Sequence, residues 1–187
     1  MSELFQMNQY VIRTKYFRIF GGAFYFEDLQ GSVVAYSNQK RFKLKEDIVL
    51  YSDESCTTPL IQIKARSVFD IATTYDIINP QDNTNLGSAK RQALKSIFKD
   101  TWTINDSSGS PYATFVEDSI SILRRFIPLI PAKYHFEMPG QPEILMQQGF
   151  NPFIKRTQVT IPPSHKLDRK VIAAVALLSS AIEGRQS

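Results

Sequence analysis

The chain is poor in the residues that build metal centres and covalent cross-links. Its 187 residues include one cysteine, Cys56, and two histidines, His135 and His165. A single thiol excludes an intramolecular disulfide and fits a reducing compartment. Those three side chains cannot make a typical structural zinc site. The opening "MSELFQMNQY" has neither a basic region nor an apolar run, so it does not read as a secretory signal. No segment approaches the ~20 apolar residues of a membrane-spanning helix. No P-loop, GxGxxG, GxSxG, Pro/Ser-rich linker or low-complexity stretch occurs, and no loop spaces Asp residues as calcium sites do. The expectation is a cytoplasmic protein of one domain, residues 1–187, without a cofactor.

What is present is an ordinary globular composition, 43% hydrophobic and 21% charged, with a net charge of +4 that permits an acidic partner without demanding one. Along the chain a unit recurs: a phenylalanine in a β-prone run, a second run, then turn residues. The marker positions Phe17, Phe42, Phe69, Phe98, Phe126 and Phe153 are spaced by 25 to 29 residues. Within units the period is two, as in "TWTIND", where Trp102 and Ile104 alternate with Thr103 and Asn105. Asp28–Gly31, Asp106–Gly109 and "MPGQP" supply turn chemistry, "NPQDNTN" reads as a longer mobile tip, and Gly21–Gly22 as a bulge or tight turn. Two strands per unit over six units gives about twelve strands between about residues 10 and 161. Short turns make them mostly antiparallel.

The C-terminal stretch "LDRKVIAAVALLSSAIEG" predicts a helix over about 168–183 with no polar face. Around a dozen residues, apolar except Ser179 and Ser180, give a rod of roughly 18 Å, too short for a bilayer core of roughly 30 Å. A barrel of eleven or more strands can enclose such a rod. Val171, Ile172, Val175, Leu177, Leu178 and Ile182 are its expected contacts, with alanines keeping it thin. Ser179 and Ser180 can bond back to the carbonyls of Val175 and Ala176, and Asp168 is the expected N-cap. The fold class is therefore mainly β, a closed barrel around a central apolar C-terminal helix.

Three stretches, "KSIFKDTWTINDSSG", "EDSISILRRFIPLIPAKYHFE" and "LDRKVIAAVALLSSAIEGRQ", resemble the LURP-one-related proteins, which belong with phospholipid scramblases and the tubby C-terminal domain. The resemblance implies a twelve-stranded closed barrel around a central helix. It carries family behaviours of binding phosphoinositide head groups or moving lipid. The Pro-rich N-terminal region and Cys run of scramblases are missing here, and no lipid-binding residue transfers by position.

Candidate site residues follow from charge. In "KRFKLKE", Arg41, Lys43 and Lys45 alternate with Phe42 and Leu44, so three like charges share a strand face. Lys90, Arg91, Lys95 and Lys99 follow the "NPQDNTN" tip, and Arg124–Arg125 and Lys155–Arg156 add pairs. Such cations either contact phosphate or form a solvated outer face. No aromatic stacking platform is evident, which disfavours nucleic acid. His135 reads as a strand residue, His165 as a cap or surface group, and Cys56 lies in a turn without an activating neighbour. Asp100, Glu117 and Asp118 either meet as a carboxylate pair or serve as turn residues. The sequence therefore reads as a non-catalytic binding or scaffold domain. It would recognise anionic phospholipid or a protein partner, with Arg41, Lys43, Lys45, Lys90 and Arg91 as the lipid-binding candidates. A carrier of a small apolar ligand is the alternative, ahead of a lipid-scrambling protein or an enzyme.

Overall fold

The computed structural model describes residues 2–17, 21–39, 47–66, 73–92, 101–118, 131–150 and 154–183. A short 3-10 helix, Glu3–Gln6, precedes twelve strands: β1 (Gln9–Phe17), β2 (Gly21–Glu27), β3 (Val33–Gln39), β4 (Ile48–Tyr51), β5 (Pro59–Ala65), β6 (Thr74–Asn79), β7 (Thr84–Arg91), β8 (Thr101–Asn105), β9 (Pro111–Glu117), β10 (Lys133–Glu137), β11 (Ile144–Gln148) and β12 (Lys155–Thr160). The helix α1 (Arg169–Glu183) follows. Each strand pairs antiparallel with its neighbour in sequence, and β1 closes on β12 in a register running from Gln9↔Thr160 to Thr14↔Lys155. The sheet is thus a closed meander barrel of twelve strands, the number that two strands in each of six units predicts.

Alternation explains which face each residue takes. In β10, Tyr134 and Phe136 are buried while Lys133 and Glu137 are exposed. In β6, Tyr75 and Ile77 are the buried pair. The inward rings pack on one another, with Phe115 and Phe136 centroids 4.7 Å apart and Phe115 stacked on Tyr134 at 5.1 Å. Turns obey their local chemistry. Asp106 Oδ1 accepts from the backbone N–H groups of Ser108 and Ser110, both at 2.9 Å, and Gly109 takes φ +88°. Two connections differ from expectation. Gly21 and Gly22 lie within β2, Gly22 pairing Tyr16 and Gln39. "NPQDNTN" reverses tightly, because Asp82 Oδ1 accepts from Asn79 Nδ2 at 2.7 Å and from Thr84 N–H at 3.0 Å. Among the marker phenylalanines, Phe17 ends β1, and the other five lie outside the described residues.

The core is the helix and the inner wall around it. Every residue from Val171 to Ile182 is buried, Ser179 and Ser180 included. Ser180 Oγ donates to the Ala176 carbonyl at 2.8 Å, as its position predicts. Ser179 Oγ, also buried, has no hydrogen-bond partner, so its expected bond to Val175 does not form. Asp168 caps the helix by accepting from Lys170 N–H at 2.7 Å. Arg169 donates to the Met7 carbonyl at 3.1 Å and to Asn8 Oδ1 at 2.9 Å, tying the helix start to the segment before β1. Lys170 Nζ donates to Asn79 Oδ1 at 2.9 Å and lies 5.6 Å from the centre of the Phe5 ring.

A regular meander has two distinct rims. Odd strands end and even strands begin at one rim, toward which α1 runs. At the opposite rim α1 begins, beside the 3-10 helix.

Candidate functional site

Charge is segregated between the rims. Where α1 ends, the described cations Lys15, Lys64, Arg66, Lys90, Arg91, Lys133, Lys155 and Arg156 stand against Asp47, Asp76, Glu117 and Asp118. Among those acids, Asp76 is met by Arg66 at 2.6 Å, Asp47 by Lys64 at 3.9 Å and Asp118 by His135 at 2.6 Å. At the rim where α1 begins, Glu3, Asp28, Asp53, Glu54, Asp82, Asp106, Glu137, Glu143 and Asp168 face Lys166, Arg169 and Lys170. Among the described residues, then, one rim is net positive and the other net negative, and the barrel is an electrical dipole along its axis.

Three strands, β1, β2 and β12, build an ion cluster from residues distant in sequence. Arg13 and Arg156 are direct partners across β1 and β12. Between them Glu27, only 3% exposed, accepts from Arg13 Nε at 2.5 Å and from Arg156 Nη2 at 2.6 Å. The Arg13 guanidinium lies 4.0 Å over the Tyr25 ring. Two guanidiniums around one carboxylate leave one positive charge uncompensated. Arg156 also lines a groove of about 380 Å³ across β11, β12 and β1, with Gln147, Gln148, Gln158, Leu145 and Val11. Gly149, which lacks a side chain there, completes the hairpin by donating its N–H to the Arg156 carbonyl at 2.8 Å.

Of the sequence candidates, Arg41, Lys43 and Lys45 lie outside the described residues, between β3 and β4. Lys90 and Arg91 are adjacent in β7 and take opposite faces. Lys90 is exposed, while Arg91 pairs in register with the inward Trp102 and its guanidinium lies 6.0 Å from the Trp102 ring centre. Only Lys90 of the two belongs to an outer surface. Lys95, Lys99, Asp100 and Arg124–Arg125 also lie outside the described residues.

Glu117 and Asp118 do not meet as a carboxylate pair: Glu117 is buried on the inner side of β9, opposite Tyr134. Asp118 instead contacts His135 Nδ1 at 2.6 Å, while His135 Nε2 contacts Glu137 at 2.9 Å. Burial opposes charging of His135, but the hydrogen bonds to Glu137 and Asp118 and the charges of Asp118 and Glu143 outweigh it and raise its pKa. His165 is buried rather than a surface group, its Nδ1 accepting from Leu167 N–H at 3.0 Å. Burial, then the charge of Arg169, holds its pKa below the ordinary value. Cys56 sits in the turn after β4 with φ 56°, and burial followed by the charges of Asp53 and Glu54 raises its pKa. That environment disfavours a thiolate nucleophile. Among the described residues no group of three or more His, Cys, Asp or Glu side chains could hold a metal ion, and no helix is long and apolar enough to cross a membrane.

Comparison of the chain with protein-family models, with curated proteins and with solved structures finds no match in any of the three.

Sequence reasoning missed the segregation of charge, although a signal for it exists. Once a meander of twelve strands is expected, sorting charged residues by whether they flank an odd-to-even or an even-to-odd connection separates the two rims.

Proposed function

We propose that the protein is a non-catalytic binding domain that docks on anionic phospholipid surfaces through the rim toward which α1 runs. The observation that carries this reading is the charge segregation: a basic rim is attracted to an anionic leaflet while an acidic rim is repelled, which also fixes orientation. The helix along the barrel axis favours an external ligand over a small apolar molecule carried inside. On this reading the protein is cytoplasmic and peripheral to the membrane. The twelve-stranded barrel with its central helix supports placing the chain with the LURP-one-related and tubby-like proteins.

The test is co-sedimentation with phosphatidylcholine vesicles, with and without phosphatidylserine, at low and moderate salt. The parent should bind only anionic vesicles, and less at higher salt. Lys90→Glu combined with Lys133→Glu should weaken binding by about tenfold or more, taking ~1 kcal/mol for each basic residue near the surface. Lys166→Glu, at the acidic rim, should leave it unchanged. Arg41, Lys43 and Lys45 changed together to Glu should behave as the first variant does. Equal binding by all variants, or none by the parent, overturns the proposal.

A further inference from the structure

A stripe of tyrosines crosses the outer wall of the barrel at right angles to the strands. Arg156, Arg13, Tyr25, Tyr36 and Tyr51 are successive in-register partners on β12, β1, β2, β3 and β4, so they share one face. Their chain neighbours Ile12, Phe24, Phe26, Ala35 and Leu50 are buried inside, which puts the stripe outside, with each tyrosine half-buried. The Tyr25 and Tyr36 rings meet edge to face, centroids 5.1 Å apart, and the Arg13 guanidinium lies over Tyr25. The two ends of the stripe carry opposite charge. Beyond Tyr51, the turn after β4 is held by Asp53, whose carboxylate accepts from Ser55 N–H at 2.8 Å and from Ser52 Oγ at 2.7 Å. That turn presents Glu54, which is exposed and whose carboxylate makes no hydrogen bond or ion pair with the described residues. Burial, then Tyr25, Cys56 and Glu54, raise the Tyr36 pKa, so the Glu54 charge is felt at the stripe. At the other end stands the Arg13–Glu27–Arg156 cluster with its excess positive charge.

We infer that this stripe is a docking surface for a proline-rich peptide in the polyproline II conformation, lying across the strands with a basic residue at Glu54 and an acidic residue at Arg156. Periodicity selects that occupant. Neighbouring strands lie about 4.8 Å apart, so Tyr25 and Tyr51, two steps apart, are separated by about 9.6 Å. A polyproline II helix repeats every three residues at about 3.1 Å each, or about 9.3 Å. Prolines at i and i+3 therefore meet Tyr25 and Tyr51, with Tyr36 between them. Three residues further back, the same face of the peptide arrives at Arg156, two strands before Tyr25. Other occupants fit less well. An added β-strand needs a sheet edge, and the barrel has closed its edges. A polyanion suited to Arg13 and Arg156 is repelled by Asp53 and Glu54. The peptide also brings backbone carbonyls without internal hydrogen bonds, which tyrosine hydroxyls can meet as donors.

The experiment is fluorescence anisotropy of a labelled peptide, Glu-Pro-Pro-Pro-Ala-Pro-Pro-Pro-Arg, titrated with the full chain. No lipid is present, so failure here leaves docking of the basic rim standing. The parent should bind. A flexible peptide with the same charges, glycine and serine replacing proline, should bind about tenfold more weakly or worse. Tyr36→Ala should weaken binding about tenfold or more, as truncating a central aromatic contact does, and Tyr36→Phe should keep most of it. Glu54→Lys should weaken the parent peptide and strengthen the same peptide ending in Glu, an exchange that a merely structural role would not produce. Urea midpoints read through Trp102 check the folding of each variant, and the exposed Glu54 decides the case if Tyr36→Ala is unstable. No binding by the parent, equal binding of the flexible peptide, or no exchange at Glu54 overturns the proposal. Binding of oligouridylate through the same tyrosines would assign the wall to single-stranded nucleic acid and overturn it as well.

Discussion

Replacing Leu178 by Ala and, separately, Ala174 by Leu probes the helix-filled interior from both directions. Both positions are 1% exposed, one bearing a large side chain and one a small one. Leu178→Ala removes three carbons, about 2.4 kcal/mol at ~0.8 kcal/mol for each buried methylene. The cavity left between a rigid wall and a rigid helix brings the loss to about 2–5 kcal/mol. Ala174→Leu inserts the same three carbons where strand and helix backbones set the spacing, costing about 1–3 kcal/mol in displaced rotamers and backbone. Against a net stability of about 5–15 kcal/mol, each is a large fraction. Urea unfolding followed through Trp102, which lies inside the barrel, reads both directly. A loss below about 1 kcal/mol for Leu178→Ala, together with a neutral Ala174→Leu, would refute the reasoning. It would mean that the helix sits in loose space.

Three further outcomes follow from local geometry. Gly87→Ala should fail to fold or lose several kcal/mol, roughly 3 or more, because a Cβ there would sit 2.4 Å from the Asn105 carbonyl oxygen at a φ of +140°; soluble expression with a near-parental melting temperature would contradict this. Asp168→Ala should cost about 0.5–2 kcal/mol by removing the acceptor for Lys170 N–H, and Asp168→Asn should restore most of it in thermal melts. His135 has a raised pKa, so its pairing contributes stability below its unfolded-state pKa of about 6.5 and loses it as pH rises through the folded value. The urea midpoint of the parent should therefore fall relative to His135→Asn between about pH 6 and about pH 8, and parallel pH profiles would count against the assignment.

How much of this was legible depended on the range over which each feature is encoded. The helix announced itself because Val171–Ile182 is apolar on every face, a property of twelve consecutive residues. The strand count came from a unit present six times, and the Asp106–Gly109 turn from four adjacent residues. The Arg13–Glu27–Arg156 cluster joins positions as much as 129 residues apart, and no local pattern reports such a meeting. Arg91 shows a second limit. Its neighbour Lys90 is exposed, yet a step of one residue along a strand changes the face, so a basic pair in sequence is not a basic pair in space. Ser179 and Ser180 show a third: identical neighbours on one helix, of which only one bonds back.

The enclosure of α1 has a consequence for biosynthesis. Gln9 and Thr160, which seal the wall, are separated by about 150 residues, and the segment that fills the interior is translated after both. At roughly 5–20 residues per second, the ribosome spends on the order of ten seconds or more making inward-facing phenylalanines and isoleucines that have nothing yet to enclose. Long-range pairing of this kind is slow to form. Nascent chains should therefore lean on chaperones until the last turn of helix emerges. A ribosome stalled just short of it would leave an open, adhesive sheet instead of a smaller version of the same protein.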